Sequence, residues 1–258
     1  MKLLTTGNPK VLKSIKHGYL TSILHLAPAT LSGYNVCPKA SDGCIAACLN
    51  LTGRGGIIKK GETTNVIQLA RIRKTKMFFE QRGAFLAALV ADVERTIKYA
   101  DKRGLVAVFR LNGTSDISWN KYPVVRDGVI HANIFAAFPN TQFYDYSAVF
   151  RTPKNIPNWH ITFSRKENNR LDVAMAIANG VNVAVVFDGG LPAEYFNRRV
   201  VDGTEHDLRF LDPKGVVIGL VTKGWNANKA RARDSGFAVP MPLSRVGHVV
   251  PAFCDQRN

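Results

Sequence analysis

Three of the four cysteines in this sequence stand close together, in Cys37-Pro38-Lys39-Ala40-Ser41-Asp42-Gly43-Cys44-Ile45-Ala46-Ala47-Cys48, a C-x6-C-x3-C spacing. In a reducing compartment, clustered cysteines are more often metal ligands or catalytic thiols than disulfide partners. Structural zinc wants four protein ligands, commonly two close pairs, so three thiols from one loop suit a cubane [4Fe–4S] cluster better. The fourth ligand is then Cys254, if the C-terminal tail folds back, or the last iron is left open for a small molecule. Zinc, and three buried free thiols without metal, are the alternatives.

A second set of candidates follows the short apolar runs. Asn112, Thr114, Ser115 and Asp116 come after one run, Asp145, Tyr146 and Ser147 end another, and Ser164 with Arg165, Asp188 and Lys223 end three more. In an α/β barrel the reactive groups project from the C-terminal ends of strands. On that basis Asn112, Ser115, Asp116, Asp145, Ser164 and Arg165 are expected to form a cofactor-binding pocket over the cysteine loop. The plainer reading of each is a turn or a helix cap. His25 and His160 lie inside strands and read as core histidines, while Trp119, Tyr122, Trp159 and Trp225 either stack on a base or pack at a rim. No Ser/His/Asp motif, P-loop or zinc-protease helix is present, Gly53-Arg54-Gly55-Gly56 lacks the strand–helix setting of a dinucleotide fingerprint, and no catalytic residue is assigned.

These residues need elements to position them. Strands are expected over 21–27, 105–111, 142–146, 160–164, 182–187 and 216–221, and helices over 65–79, 83–102, 129–138 and 169–179, with 194–212 as an excursion. Strands alternating with helices argue for parallel βα units, and six of them suggest a partial (β/α)6 TIM-type barrel, with a doubly wound sheet as runner-up. With 258 residues, 46% of them hydrophobic, and no linker or repeat, one domain over 1–258 is the simplest expectation. Neither a membrane-spanning stretch nor a signal peptide is legible, so a cytoplasmic location is expected.

Thirty-five Lys and Arg against nineteen Asp and Glu leave a formal charge of +16, which raises nucleic acid or another polyanion as a partner. The densest cationic cluster is Arg71, Arg73, Lys74 and Lys76, with Arg54, Lys59 and Lys60 upstream. The alternative is charge spread over solvated faces.

The segments Leu31-Ser32-Gly33-Tyr34-Asn35-Val36-Cys37-Pro38, Cys44-Ile45-Ala46-Ala47-Cys48-Leu49, Arg110-Leu111-Asn112-Gly113-Thr114-Ser115-Asp116, Phe143-Tyr144-Asp145-Tyr146 and His160-Ile161-Thr162-Phe163-Ser164-Arg165 resemble the bacteriophage gene product 88 family. The likeness covers most of the chain. It implies distant kinship with radical S-adenosylmethionine (SAM) enzymes: a radical-SAM-like barrel, an oxygen-sensitive [4Fe–4S] cluster, and S-adenosylmethionine as a second cofactor. Those enzymes space their cysteines C-x3-C-x2-C and carry a glycine-rich, acid-ending segment after the second strand. Here the cysteine spacing is wider, and Asn112-Gly113-Thr114-Ser115-Asp116 stands at that second position. The expected function is a phage-type iron–sulfur protein of unassigned reaction; the alternatives are a metal-stabilised nucleic-acid-binding protein and an electron-transfer module.

Overall fold

The short apolar runs become the centre of one sheet. In a computed structural model, which describes residues 1–7, 9–149 and 156–241, the chain opens with β1 (Leu4–Thr5), α1 (Pro9–Ile15) and β2 (Tyr19–Leu24). The cysteine loop follows, carrying the short helix α2 (Asp42–Ala46), and then the long helices α3 (Val66–Glu80) and α4 (Arg82–Asp101). Next come β3 (Val106–Arg110), a hairpin of β4 (Val124–Arg126) and β5 (Val129–His131), the one-turn helix α5 (Ile134–Ala137) and β6 (Gln142–Ser147). The remainder is β7 (Trp159–Ser164), α6 (Arg170–Ala178), β8 (Val183–Asp188), β9 (Glu194–Tyr195), β10 (Arg198–Asp202), β11 (Val217–Val221), α7 (Asn226–Asp234) and β12 (Val239–Pro240).

Strands β2, β3, β6, β7, β8 and β11 lie side by side in chain order, each parallel to the next. Among these six strands the order never reverses, whereas β10, which precedes β11 in the chain, lies outside it. β1 closes one edge antiparallel to β2, and β10 continues the sheet in parallel beyond β11. Among the described residues the two edges do not pair: this is a mixed α/β protein with a mostly parallel open sheet, and no closed barrel forms. The regular βα repeat is also broken. Helices lie between β2 and β3 and between β7 and β8, whereas hairpins fill the links from β3 to β6 and from β8 to β11.

One expected helix, 129–138, is corrected. Asp127 and Gly128 both adopt left-handed φ, 49° and 75°, which makes the tight turn of a hairpin between β4 and β5. Only α5 survives of that helix, started by Asn133, whose Oδ1 accepts the Ala136 N–H at 2.9 Å. The excursion over 194–212 likewise becomes sheet, through β9 and β10.

Side chains alternate across a strand, and the strand register divides them cleanly. On one face Phe109 and Phe143 pack with Phe85, Leu89 and Val93 of α4, and Phe163, Val185 and Phe187 pack with Val173 and Ala176 of α6. On the other face stand Arg110, Tyr144, Tyr146, Thr162 and Ser164. The N-terminal half of this second face is covered by the 206–211 segment, where Leu208 is buried against Val108 and Tyr144. Its C-terminal half is left to line a cleft. Among the described residues no helix is long and apolar enough to cross a membrane.

Candidate functional site

The cleft has a volume of about 260 Å³ and opens at the C-terminal ends of the central strands. Cys37, Cys44 and Cys48 all line it, together with Asn112, Ser115, Asp116, Ser164 and Arg165. Residues scattered over the sequence are thus gathered onto one surface, as strand-end chemistry demands.

The cysteine loop is held by local hydrogen bonds and by the strand ends. The Cys37 N–H donates to Asn35 Oδ1 at 2.8 Å, the Asp116 N–H donates to Val36 O at 2.8 Å, and Thr114 Oγ1 donates to Leu26 O at 2.6 Å. Ser41 starts α2 by accepting the Cys44 N–H at 3.2 Å. Gly43 leaves no room for a side chain, because a Cβ there would stand 2.8 Å from both Glu167 Oε1 and Ser235 Oγ. Two backbone N–H groups point at sulfur: Ala29 at 3.4 Å from Cys37 Sγ and Asn50 at 3.5 Å from Cys48 Sγ.

Burial, followed for Cys44 by repulsion from the other two sulfurs, raises all three thiols. Cys37 is pushed up to about 11 and Cys44 to about 12, and Cys48 moves in the same direction. A nucleophilic cysteine needs the opposite shift. Arg71 beside Cys48 and Lys166 beside Cys44 favour the thiolates without overcoming burial. Among the described residues no three His, Cys, Asp or Glu side chains are gathered tightly enough to hold a single metal ion. A tetrahedral zinc with bonds near 2.3 Å would draw its sulfurs to within roughly 4 Å of one another. Cys254 lies outside the described residues.

Several of the polar residues turn out to serve the cleft by building it. Asn112 Oδ1 accepts from Ser115 Oγ, the Ile117 N–H and Trp119 Nε1 at 2.9–3.0 Å, while its Nδ2 donates to Ile117 O at 3.0 Å. Asp116 accepts from Ser147 Oγ at 2.7 Å and from the Ala148 N–H at 2.8 Å. Arg165 Nη1 donates to the carbonyls of Gly236 and Phe237 at 2.7 and 2.8 Å. Gly113 allows this loop to touch β2, since a Cβ there would meet Ile23, Leu24 O and His25 at 2.7–2.8 Å.

Asp145 stands apart from its expected companions. It belongs to the same strand end but points to the helix-covered face, where it accepts the Asn112 N–H at 2.6 Å and Trp159 Nε1 at 3.1 Å. It is fully buried and supports the cleft from behind. Its neighbour Tyr146 is the β6 residue that lines the cleft.

Sequence reasoning missed the floor. Arg110 Nη1 meets Asp207 Oδ2 at 2.9 Å in a buried ion pair, the Tyr146 hydroxyl donates to Asp207 Oδ1 at 3.2 Å, and the Arg110 guanidinium lies 4.7 Å from the centre of the Tyr146 ring. Burial works against the Arg110 charge, but Asp207 and the neighbouring tyrosines more than offset it and hold the guanidinium above its ordinary value. Tyr146 is raised by burial and by Asp207. The legible signal was a lone charged residue at the end of an apolar strand; its partner, 97 positions away, was not legible.

The expected cationic cluster is only partly a surface. Lys74 is buried with its Nζ donating to Leu3 O at 2.6 Å, and Arg71 is half-buried against Asn50. His25 and His160 are held neutral by burial and then by nearby cations, His25 down to about 3 and His160 to about 4, which fits core histidines.

A sequentially wound, mostly parallel α/β sheet with a thiol-lined cleft at its strand ends defines the class of protein. The sequence model of gene product 88 matches residues 2–240, so the chain belongs to the gene product 88 family. No curated protein and no solved structure matches the chain.

Proposed function

We propose that the chain is an iron–sulfur protein in which Cys37, Cys44 and Cys48 ligate a [4Fe–4S] cluster within the strand-end cleft. The observation that carries this reading is the placement of all three thiols, from one loop, on the same cleft wall as the polar strand ends. Two further features support it. Backbone N–H groups aimed at two of the sulfurs are the kind of contact that tunes cluster potentials. Thiols raised by burial suit a site whose metal supplies the compensating charge and displaces the protons.

The sequential parallel order is that of a barrel wall, so we read the sheet as a partial (β/α)6 barrel of radical-SAM-like descent. Such a cluster supplies one-electron chemistry and, if one iron lacks a protein ligand, a binding point for S-adenosylmethionine. Asn112, Ser115, Asp116, Ser164 and Arg165 would then form the wall above it, with Asp145 acting from behind. If Cys254 closes the cluster, electron transfer is the better reading.

Anaerobically purified protein is expected to be brown, with iron and acid-labile sulfide in equal amounts, and Cys44→Ser is expected to lose both colour and iron. A colourless wild type with stoichiometric zinc overturns the cluster. Cys254→Ser with unchanged iron and a spectral change on adding S-adenosylmethionine supports the open site; loss of the cluster in that variant assigns Cys254 as the fourth ligand.

A second reading, a metal-stabilised nucleic-acid-binding protein, is favoured by the +16 charge, part of which stands exposed beside the cleft as Lys223, Lys229 and Arg231.

A further inference from the structure

Of the three tryptophans, two are accounted for by packing. Trp119 is buried with its Nε1 bonded to Asn112, and Trp159 stacks on Phe135 at 4.4 Å and donates to Asp145. Trp225 is different: it is 67% exposed, and it stands at the start of α7, the helix that contributes Asn228 and Ala232 to the cleft wall. Only its backbone is needed there, since its carbonyl accepts the N–H groups of Asn228 and Lys229 at 2.9 and 3.1 Å.

The ring is flanked by positive charge. Lys223 precedes it, Lys229 and Arg231 follow on exposed positions of α7, and the first turn of that helix carries no acidic residue. Arg233 is pulled aside, 3.5 Å from Asp188. A second cationic segment abuts the first. Asn228 Nδ2 donates to Leu51 O at 2.6 Å and Gly224 lies against the Thr52 side chain, which brings the exposed Arg54 loop next to the base of α7. That loop is pinned by Asn65 Nδ2, which donates to the carbonyls of Arg54, Gly55 and Ile57 at 2.8–3.2 Å.

We propose that Trp225, Lys223, Lys229, Arg231 and Arg54 form a surface for single-stranded nucleic acid, with an unpaired base stacked on Trp225 and the phosphates following the cations past the cleft mouth. The proposal rests on the second reading above and sharpens it to strand type and contact residue. A large exposed aromatic face beside cations matches unpaired bases, whose π-faces are available in single strands and hidden in a duplex. The phosphates account for the charge.

The test uses anaerobically purified holoprotein with its iron content measured. Fluorescence anisotropy follows labelled oligothymidylate, oligouridylate and a duplex across a salt series, with tryptophan emission recorded in parallel. Single strands are expected to bind more tightly than duplex, with affinity falling as salt rises and with quenched emission. The thymidylate and uridylate arms tell DNA from RNA. Trp225→Ala is expected to lose about tenfold or more in affinity and most of the quenching, whereas Trp225→Phe keeps most of the affinity. Lys229→Glu is expected to weaken binding and reduce the salt slope by about one. Salt-sensitive binding that Trp225→Ala leaves unchanged, or duplex bound as tightly as single strand, overturns this surface while leaving the second reading standing. No binding to any of the three overturns both, and neither result bears on the cluster, whose iron content is read separately.

Discussion

The two faces of the central sheet obey different rules. Under the helices, Phe109, Phe143, Phe163 and Phe187 form an apolar layer of the ordinary kind, where burial itself stabilises the fold. On the cleft side the same strands bury Arg110 and Thr162 and half-bury Tyr146 and His160, against Asp207 and Arg209 from the returning 206–211 segment. Several polar atoms on that side, among them Arg110 Nε, Tyr144 Oη, His160 Nε2 and Thr162 Oγ1, are buried without a hydrogen-bond partner among the described residues. Buried polar groups cost free energy unless they are satisfied. One face is an apolar layer, and the other mixes small apolar clusters with buried polar groups that cost free energy.

The comparison breaks most visibly at one residue from each face. Phe163→Ala and Asp207→Ala should each destabilise by about 3–5 kcal/mol, the first through a cavity and the second through an uncompensated buried guanidinium. Urea unfolding separates the causes: adding Arg110→Met to an Asp207→Leu background should restore near wild-type stability, because replacing a buried ion pair by apolar groups is often neutral. A double variant as unstable as Asp207→Ala would mean that the pair itself supports the fold.

A smaller effect is expected at Asp145, which sits behind the cleft. Asp145→Ala strands the Asn112 and Trp159 donors and should cost about 1–3 kcal/mol. A change in Trp159 emission should accompany it. Unchanged emission would remove Asp145 from the support of the site.

The most gradual effect is a pH slope. His25 and His160 have folded values of about 3 and about 4, held below the ordinary histidine value first by burial and then by nearby cations. The folded state then binds fewer protons than the unfolded one, so their contribution is complete above about pH 6.5 and is lost as pH falls through 4 and then 3. Asp212, raised to about 6 by burial, contributes in the opposite sense: its share is present below the ordinary carboxylate range and fades as pH rises through 6. Unfolding free energies from urea titrations should still fall on acidification from pH 6.5, by on the order of 1 kcal/mol per pH unit per histidine. His160→Phe should flatten part of that slope; an unchanged slope would mean that the imidazole is solvated.

The sequence by itself determined the local elements. The three- and four-residue spacing of Leu86, Leu89, Val90, Val93 and Ile97 marked α4, and the apolar runs marked each central strand to within a few residues. The cysteine cluster and the polar strand ends were also legible, because their residue types are adjacent in the chain. Asp127-Gly128 is a hairpin signal that the helix expected over 129–138 left out of account. Tertiary structure alone decided the rest. Which β6 side chain enters the cleft depends on strand parity, since a shift of one residue exchanges Asp145 for Tyr146. The Arg110–Asp207 floor depends on a segment returning from far along the chain, and the exposure of Trp225 depends on what packs beside it. Periodicity reports what a residue does within its own element, and only packing reports what it meets across the fold.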